Sequence, residues 1–160
     1  MTLSKYAVVA LIGTTLSQAP ALADPIGTTR AAGKDASWLF IQTASEVQFD
    51  GKTLTLKNVG PSMVMFTDRP ARMAESIPTA AFVQHWNRGG NNSFQAKPPN
   101  AGLTSVVDGK LQTATVELSQ PNLNGTTLTY QARVLKGAPP PRGAETSIFF
   151  DDIHWNPGGF

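Results

Sequence analysis

None of the chain's 160 residues is cysteine. Disulfides, thiolate metal sites and cysteine nucleophiles are therefore excluded, and any domain must be held by burial and hydrogen bonding alone. Charge is scarce as well. Asp, Glu, Lys and Arg make up 15% of the residues, the formal net charge is +2, and no run of like charges occurs. Without clustered Lys and Arg there is no phosphate-binding surface, so nucleic acid is not an expected partner. Long apolar runs are missing too. The run from Tyr6 to Leu16 is interrupted by Gly13 and Thr14, and it falls short of the roughly 20 residues that a membrane-spanning helix needs. No apolar helical stripe of three or more turns can be drawn. Also lacking are a G-x-S-x-G elbow, an H-E-x-x-H pair and a phosphate-cradling glycine loop after a strand.

What is present begins with an address. Lys5 gives a short positive start, Tyr6 to Leu16 an apolar stretch, and Ala21-Leu22-Ala23 small residues at both outer positions. This is the pattern of a secretory signal peptide over residues 1–23, with cleavage expected after Ala23. No Cys follows the small residues, so a lipoprotein anchor is not indicated. The processed chain has no membrane span and carries a formal charge of +1, because Lys5 is the only charged residue removed. A periplasmic or extracellular location is expected. Residues 24–37 are small and polar, with Pro25, Gly27 and Gly33, and read as a flexible mature N-terminus.

The remainder, 38–160, predicts an all-β domain. Apolar and polar residues alternate in short stretches separated by turn signals. Strands are expected over 38–49, 52–59, 62–67, 103–107, 111–118, 127–135 and 146–150, with turns at Asp50-Gly51, Gly60-Pro61, Asp108-Gly109 and Asn124-Gly125. Ala71 to Ser76 reads as a loop. Pro78 to Trp86 reads as the one short helix, with Thr79 as its N-cap and Phe82, Val83 and Trp86 on one face. Asn87 to Asn100, rich in Gly, Asn and Pro, reads as a long polar loop of the kind that often carries function. About seven strands in this rhythm suggest a β-sandwich, with a β-barrel as runner-up.

Three groups of residues can carry chemistry. Asp68, Arg69 and Arg72 form the densest charged cluster, a carboxylate with two guanidinium groups at a strand end, able to clamp an anionic or hydroxylated ligand. The same residues serve equally to pin the loop. Trp86, Asn87, Asn92 and Asn100 set amides beside an aromatic ring, a chemistry suited to a carbohydrate. Asn is also an ordinary loop residue, because it tolerates left-handed backbone. Both histidines, finally, sit in an H-W-N-x-G-G frame, His85 to Gly90 and His154 to Gly159. If the two loops converge, His85 and His154 with Asp152 or Asp151 can hold a divalent transition metal. Asp151 and Asp152 are adjacent, so in a strand their side chains face opposite ways and do not make an acid/base pair.

The stretch Phe66-Thr67-Asp68-Arg69-Pro70-Ala71-Arg72 resembles a family of uncharacterised exported proteins. The resemblance continues through Ile77-Pro78-Thr79, Phe82-Val83, Trp86-Asn87, Asn92-Ser93-Phe94 and Pro98-Pro99-Asn100-Ala101. It resumes at Val116-Glu117-Leu118-Ser119, Pro121 and Leu128-Thr129-Tyr130, and ends near Ser147 to Asp151. Where that family often has an acidic residue before the double proline, this chain has Lys97. The resemblance implies a secreted β-rich domain and singles out Asp68 to Asn100, without supplying a substrate.

The reading that follows is a periplasmic or secreted, non-catalytic ligand-binding or interaction module. Its site is expected at Asp68, Arg69, Arg72, Trp86, Asn87, Asn92 and Asn100, with Trp86 stacking and the amides orienting. Its partner is expected to be a small polar or carbohydrate ligand, or an envelope protein. The alternatives are a metal-dependent secreted enzyme using His85, His154 and Asp152, and a structural cell-envelope protein.

Overall fold

A computed structural model describes residues 37–67, 72–91 and 93–152 of the chain, with the side chains of Asp151 and Asp152 left out. In chain order the elements are β1 (Trp38–Phe49), β2 (Thr53–Val59), β3 (Ser62–Thr67), β4 (Ala74–Pro78), α1 (Thr79–Asn87), β5 (Asn100–Val107), β6 (Lys110–Asn124), β7 (Thr127–Gly137) and β8 (Arg142–Asp152). The all-β class, the single short helix and the polar loop are as the sequence predicts. The leader at 1–23, the segment 24–36 and the loop at 154–160 lie outside the described residues.

All eight strands belong to one antiparallel hydrogen-bonded sheet, ordered β2-β7-β6-β5-β8-β1-β3-β4, and a further pairing of β2 with β1 closes it on itself. The layers that a sandwich would separate are thus joined along both sides, in the manner of a barrel. One local feature permits the closure. β8 runs along one edge of β1 from Trp38 to Gln48. The other edge is shared, with β2 opposite Ala44 to Phe49 and β3 opposite Trp38 to Ile41. β2 and β3 are therefore two halves of one path, broken at Gly60-Pro61. Between the pairs Ala44–Val59 and Ile41–Val64, three steps on β1 match five on its partner. Past the break the two halves diverge. β2 takes β7 as its second neighbour and completes a six-strand ring, while β3 takes β4. β4 occupies Ala74 to Pro78, where a loop is expected from sequence. It has one buried apolar residue, Ile77, too little pattern to announce a strand.

The helix starts where the path breaks. Pro78 ends β4, and Thr79 is the first residue of α1 rather than its side-chain cap. The Thr79 N–H donates to the Pro61 carbonyl at 2.9 Å, and its hydroxyl donates to the Gly60 carbonyl at 2.7 Å. The residue that sequence assigns to capping thus ties the helix to the β2–β3 break. α1 packs against β3, β4 and β6 and buries Phe82, Val83 and Trp86, the face expected from their spacing. These join Phe40, Phe94, Tyr130 and Phe150 in an aromatic cluster at the centre of the core. The Phe40–Phe150 rings are stacked with centroids 5.6 Å apart, and Phe82 meets Trp86 edge-on at 5.8 Å, geometries that favour aromatic pairs. Among the described residues, no helix is long and apolar enough to cross a membrane.

A neutral cleft at the end of the helix

The loop after α1 is less irregular than its composition suggests. Arg88 continues the helical turn, its N–H reaching the Gln84 and His85 carbonyls at 3.1 and 3.2 Å. Gly89 then takes φ +71°, and a Cβ built there would lie 2.6 Å from Gln95 Oε1. Glycine therefore lets the Gln95 side chain lie over the helix end. Ser93 organises the next turn, donating its hydroxyl to the Gly90 carbonyl at 2.8 Å and accepting backbone N–H groups from Ala96 and Lys97 at its own carbonyl. Phe94 drops back into the core, 5% exposed.

The facing wall comes from β6 and β7. β5 accompanies β6 only as far as the Asn100–Glu117 pair, followed by one bond from the Leu118 N–H to the Pro99 carbonyl at 3.0 Å. Beyond it, among the described residues, β6 has no strand on that side. On its other side the ladder with β7 is irregular. Ser119 faces Gln131 and Asn122 faces Thr129, so β6 holds one residue more than β7 between these pairs. This is a β-bulge, and it accounts for a proline inside a strand, because Pro121 has no N–H to give a ladder. Gln120 carries the strain with φ +49°, uncommon for a residue with a side chain. The exposed edge is closed by a side chain instead of a strand. Asn87 Nδ2 donates to the Pro121 carbonyl at 3.3 Å.

Between these walls lies a cleft of about 650 Å³, lined by Trp86, Asn87, Gln95, Pro98, Ser119, Gln120, Pro121, Asn122, Thr129 and Gln131. Cross-strand partners share a face, and so do residues two apart. Ser119, Asn122, Thr129 and Gln131 therefore project together from one side of the β6–β7 ribbon, while Leu118, Leu128 and Tyr130 fill the core from the other. Seven lining side chains are amides or hydroxyls, and none of the ten titrates in the physiological range. The nearest charges along the ladder are Glu117 and Arg133, two pairs back from Ser119 and Gln131. They neutralise each other through bonds of 2.8 and 3.1 Å, and the carboxylate holds the guanidinium pKa above its usual value.

Of the residues singled out in the sequence, the structure brings Trp86 and Asn87 to the cleft. Trp86 is only 1% exposed and is packed by Phe82, Phe94, Tyr130 and Phe150, the nearest centroid being that of Phe94 at 4.7 Å. It is thus part of the cleft wall, with no open face on which a ring could stack. Its buried Nε1 has no hydrogen-bond partner among the described residues. Asn100 is exposed at the start of β5, outside the lining. Arg72 is exposed in the β3–β4 connection with φ +48°, and it too is absent from the lining. That connection is pinned by Thr67, whose Oγ1 accepts the Met73 N–H at 2.9 Å. Asp68, Arg69, Asn92 and His154 lie outside the described residues, so the proposed charge clamp and the two-histidine site are represented only by Arg72 and His85. His85 is half-buried on α1, and the Asp152 backbone pairs with Trp38. Among the described residues, no group of three His, Asp or Glu is placed to hold a metal.

Sequence reasoning did not find Gln95, Pro98 or the β6–β7 residues of the wall. The available signal was Ser119-Gln120-Pro121-Asn122, a polar, proline-bearing interruption directly after an alternating strand, which is how a bulge reads in sequence. No protein family, curated protein or solved structure matches the chain.

Proposed function

We propose that this is an exported, non-catalytic binding module that holds a small, uncharged polar ligand in the cleft between the end of α1 and the β6 bulge. The observation that carries the reading is the lining itself, with seven amide or hydroxyl side chains and no group that titrates near neutral pH. General acid–base catalysis needs a group that takes and returns a proton near working pH, and amides and hydroxyls do not. An anionic ligand would lose its hydration with no cation to replace it. A neutral polar ligand meets amides that donate and accept at once. Export rests on the leader pattern at 1–23. The motif resemblance supports the same place on the fold, since its Trp86-Asn87 and Pro98-Pro99 elements both reach this cleft.

The test is protein-observed NMR titration with paired probes of equal size, one set uncharged and one carrying carboxylates. The uncharged set should shift the side-chain amide signals of Asn87, Gln95 and Gln131, and Gln131→Ala should weaken that binding. Saturable binding of the carboxylate set alone, with the same amides responding, would overturn the reading.

A further inference from the structure

We infer that the ligand of this cleft is a saccharide held through its hydroxyl groups, without ring stacking. The inference rests on the reading of the cleft as a site for an uncharged ligand, and it narrows the ligand's chemistry.

The lining holds groups that both give and take hydrogen bonds. The Ser119 and Thr129 hydroxyls lie only at the outer limit of a bond to backbone carbonyls, 3.5 Å from that of Gln131 and 3.4 Å from that of Asn122. Each hydroxyl therefore remains able to turn to a ligand as donor or acceptor. Asn87 has committed one N–H to the Pro121 carbonyl, leaving one N–H and its Oδ1. Gln95 and Gln131 bring a carbonyl and an NH₂ each. Donors and acceptors are therefore both available along one wall. A polyol matches this, because each hydroxyl both gives and takes a hydrogen bond.

The other uncharged polar ligand of this size is a peptide. Extended peptides bind sheet edges by continuing the ladder, and the open edge of β6 is unsuited to that. Pro121 has no N–H, its carbonyl is already taken by Asn87, and the bulge at Gln120 breaks the register. These are the devices that protect edge strands from added strands. An apolar ligand fares no better, since it would strip water from the seven amide and hydroxyl side chains of the lining and leave them without partners.

Trp86 supplies a second, independent observation. It lines the cleft, and its Nε1, buried in a residue 1% exposed, is a donor with no acceptor among the described residues. Buried donors are nearly always paired, and a ligand hydroxyl oxygen reaches this one once the wall yields by about the width of an atom, which the indole signal tests. The ring itself is covered by Phe94 and Tyr130, which is why stacking plays no part. The volume, about 650 Å³, falls within the usual range for small-molecule sites and suits a short oligosaccharide.

The experiment titrates the full-length processed protein with maltose, cellobiose and N,N′-diacetylchitobiose at millimolar concentration, and in parallel with acetyl-trialanine amide, reading the side-chain amides and the Trp indole N–H by NMR. At least one disaccharide should saturate the Asn87, Gln95 and Gln131 signals and shift the Trp86 indole proton. Gln131→Ala should weaken it about tenfold, the loss of roughly one hydrogen bond. Trp86→Phe should weaken it by a similar factor. Because that variant alters the core, near-ultraviolet circular dichroism checks its fold, and the half-buried Gln131 variant keeps the test decisive. If the peptide saturates these amides and no disaccharide does, the saccharide inference is wrong and the cleft reading survives. If neither class of probe moves them, both fall.

Discussion

The rings of Phe94 and Trp86 stand 4.7 Å apart, centroid to centroid, with planes inclined at 40°. One belongs to a helix and the other to the loop that follows it, and this contact holds the loop, with Gln95 next in sequence, against the fold. Phe94 also meets Phe82, Phe150 and Phe40 at 6.0, 5.9 and 6.1 Å. Truncation to Ala removes all four contacts and leaves a void among the rings. Phe94→Ala should destabilise the domain by about 3–5 kcal/mol, read as a lower urea midpoint. Phe94→Leu should recover most of that loss. Equal midpoints for Phe94→Ala and the natural protein would mean that the loop is held by its backbone turns instead.

This contact also shows what was and was not legible in the sequence. The helix face Phe82, Val83, Trp86 followed from spacing alone, because a periodicity is a local property. The Asp108-Gly109 hairpin was equally legible, since both residues adopt positive φ, 49° and 73°, and few residue pairs do so cheaply. Phe94 was not, because a single aromatic residue in a polar loop carries no period. Its place in a Gly-, Asn- and Pro-rich loop gives no sign of burial, yet it is a core residue, 5% exposed. The ring closure through β1 was hidden for a related reason. Whether β2 turns to β7 and β3 to β4 depends on a two-residue slip at Gly60-Pro61, which sequence shows only as a break. Two of the ten lining residues were visible, Trp86 and Asn87. The β6 part of the wall depended on that strand continuing through Pro121, against the usual rule for prolines in strands.

The left-handed backbone at Gln120, φ +49°, gives the cleft a measurable cost. A residue with a Cβ pays about 1–2 kcal/mol in this conformation relative to the right-handed one, and glycine pays almost none. Gln120→Gly should therefore leave stability unchanged or raise it by up to about 1 kcal/mol, despite the freedom glycine adds to the unfolded chain. Gln120→Val should lower it by more than 1 kcal/mol, since a branched Cβ tolerates this backbone least. Paired urea titrations decide it. If Gly and Val behave alike, the bulge does not hold its conformation in solution.

Gly143 poses the opposite problem, one of space. It is buried in β8, and an added Cβ would stand 2.8 Å from Ser105 Oγ, 3.0 Å from Ser105 Cβ and 3.2 Å from Pro140 Cγ. Gly143→Ala should cost about 1–3 kcal/mol by overpacking. Because two of the three clashes are with one side chain, Ser105→Gly in the same chain should give back part of the loss, so that the double variant is more stable than the sum of the singles predicts. Additive effects in thermal melts would show that the strands shift apart rather than clash at this point.

Tyr130 gives the fold an alkaline limit. The residue is 1% exposed, its hydroxyl has no partner among the described residues, and burial pushes its pKa well above the usual tyrosine value. In the unfolded chain the same phenol ionises near pH 10. Below that pH both states keep the proton and stability does not depend on it. Above it the unfolded state sheds the proton while the folded state does not, so the unfolded state binds fewer protons and stability falls as pH rises. Urea midpoints should hold steady up to about pH 9.5 and decline beyond it. Absorbance at about 295 nm should show this tyrosine ionising only as the protein unfolds. Tyr130→Phe removes both the titration and an unpaired buried hydroxyl. It should match or exceed the natural protein at neutral pH by up to about 1 kcal/mol, with a shallower alkaline decline. A Tyr130→Phe protein that loses more than 1 kcal/mol at pH 7 would show instead that the hydroxyl has a partner in solution, and the cluster around Trp86 would then contain a bound water or ligand atom.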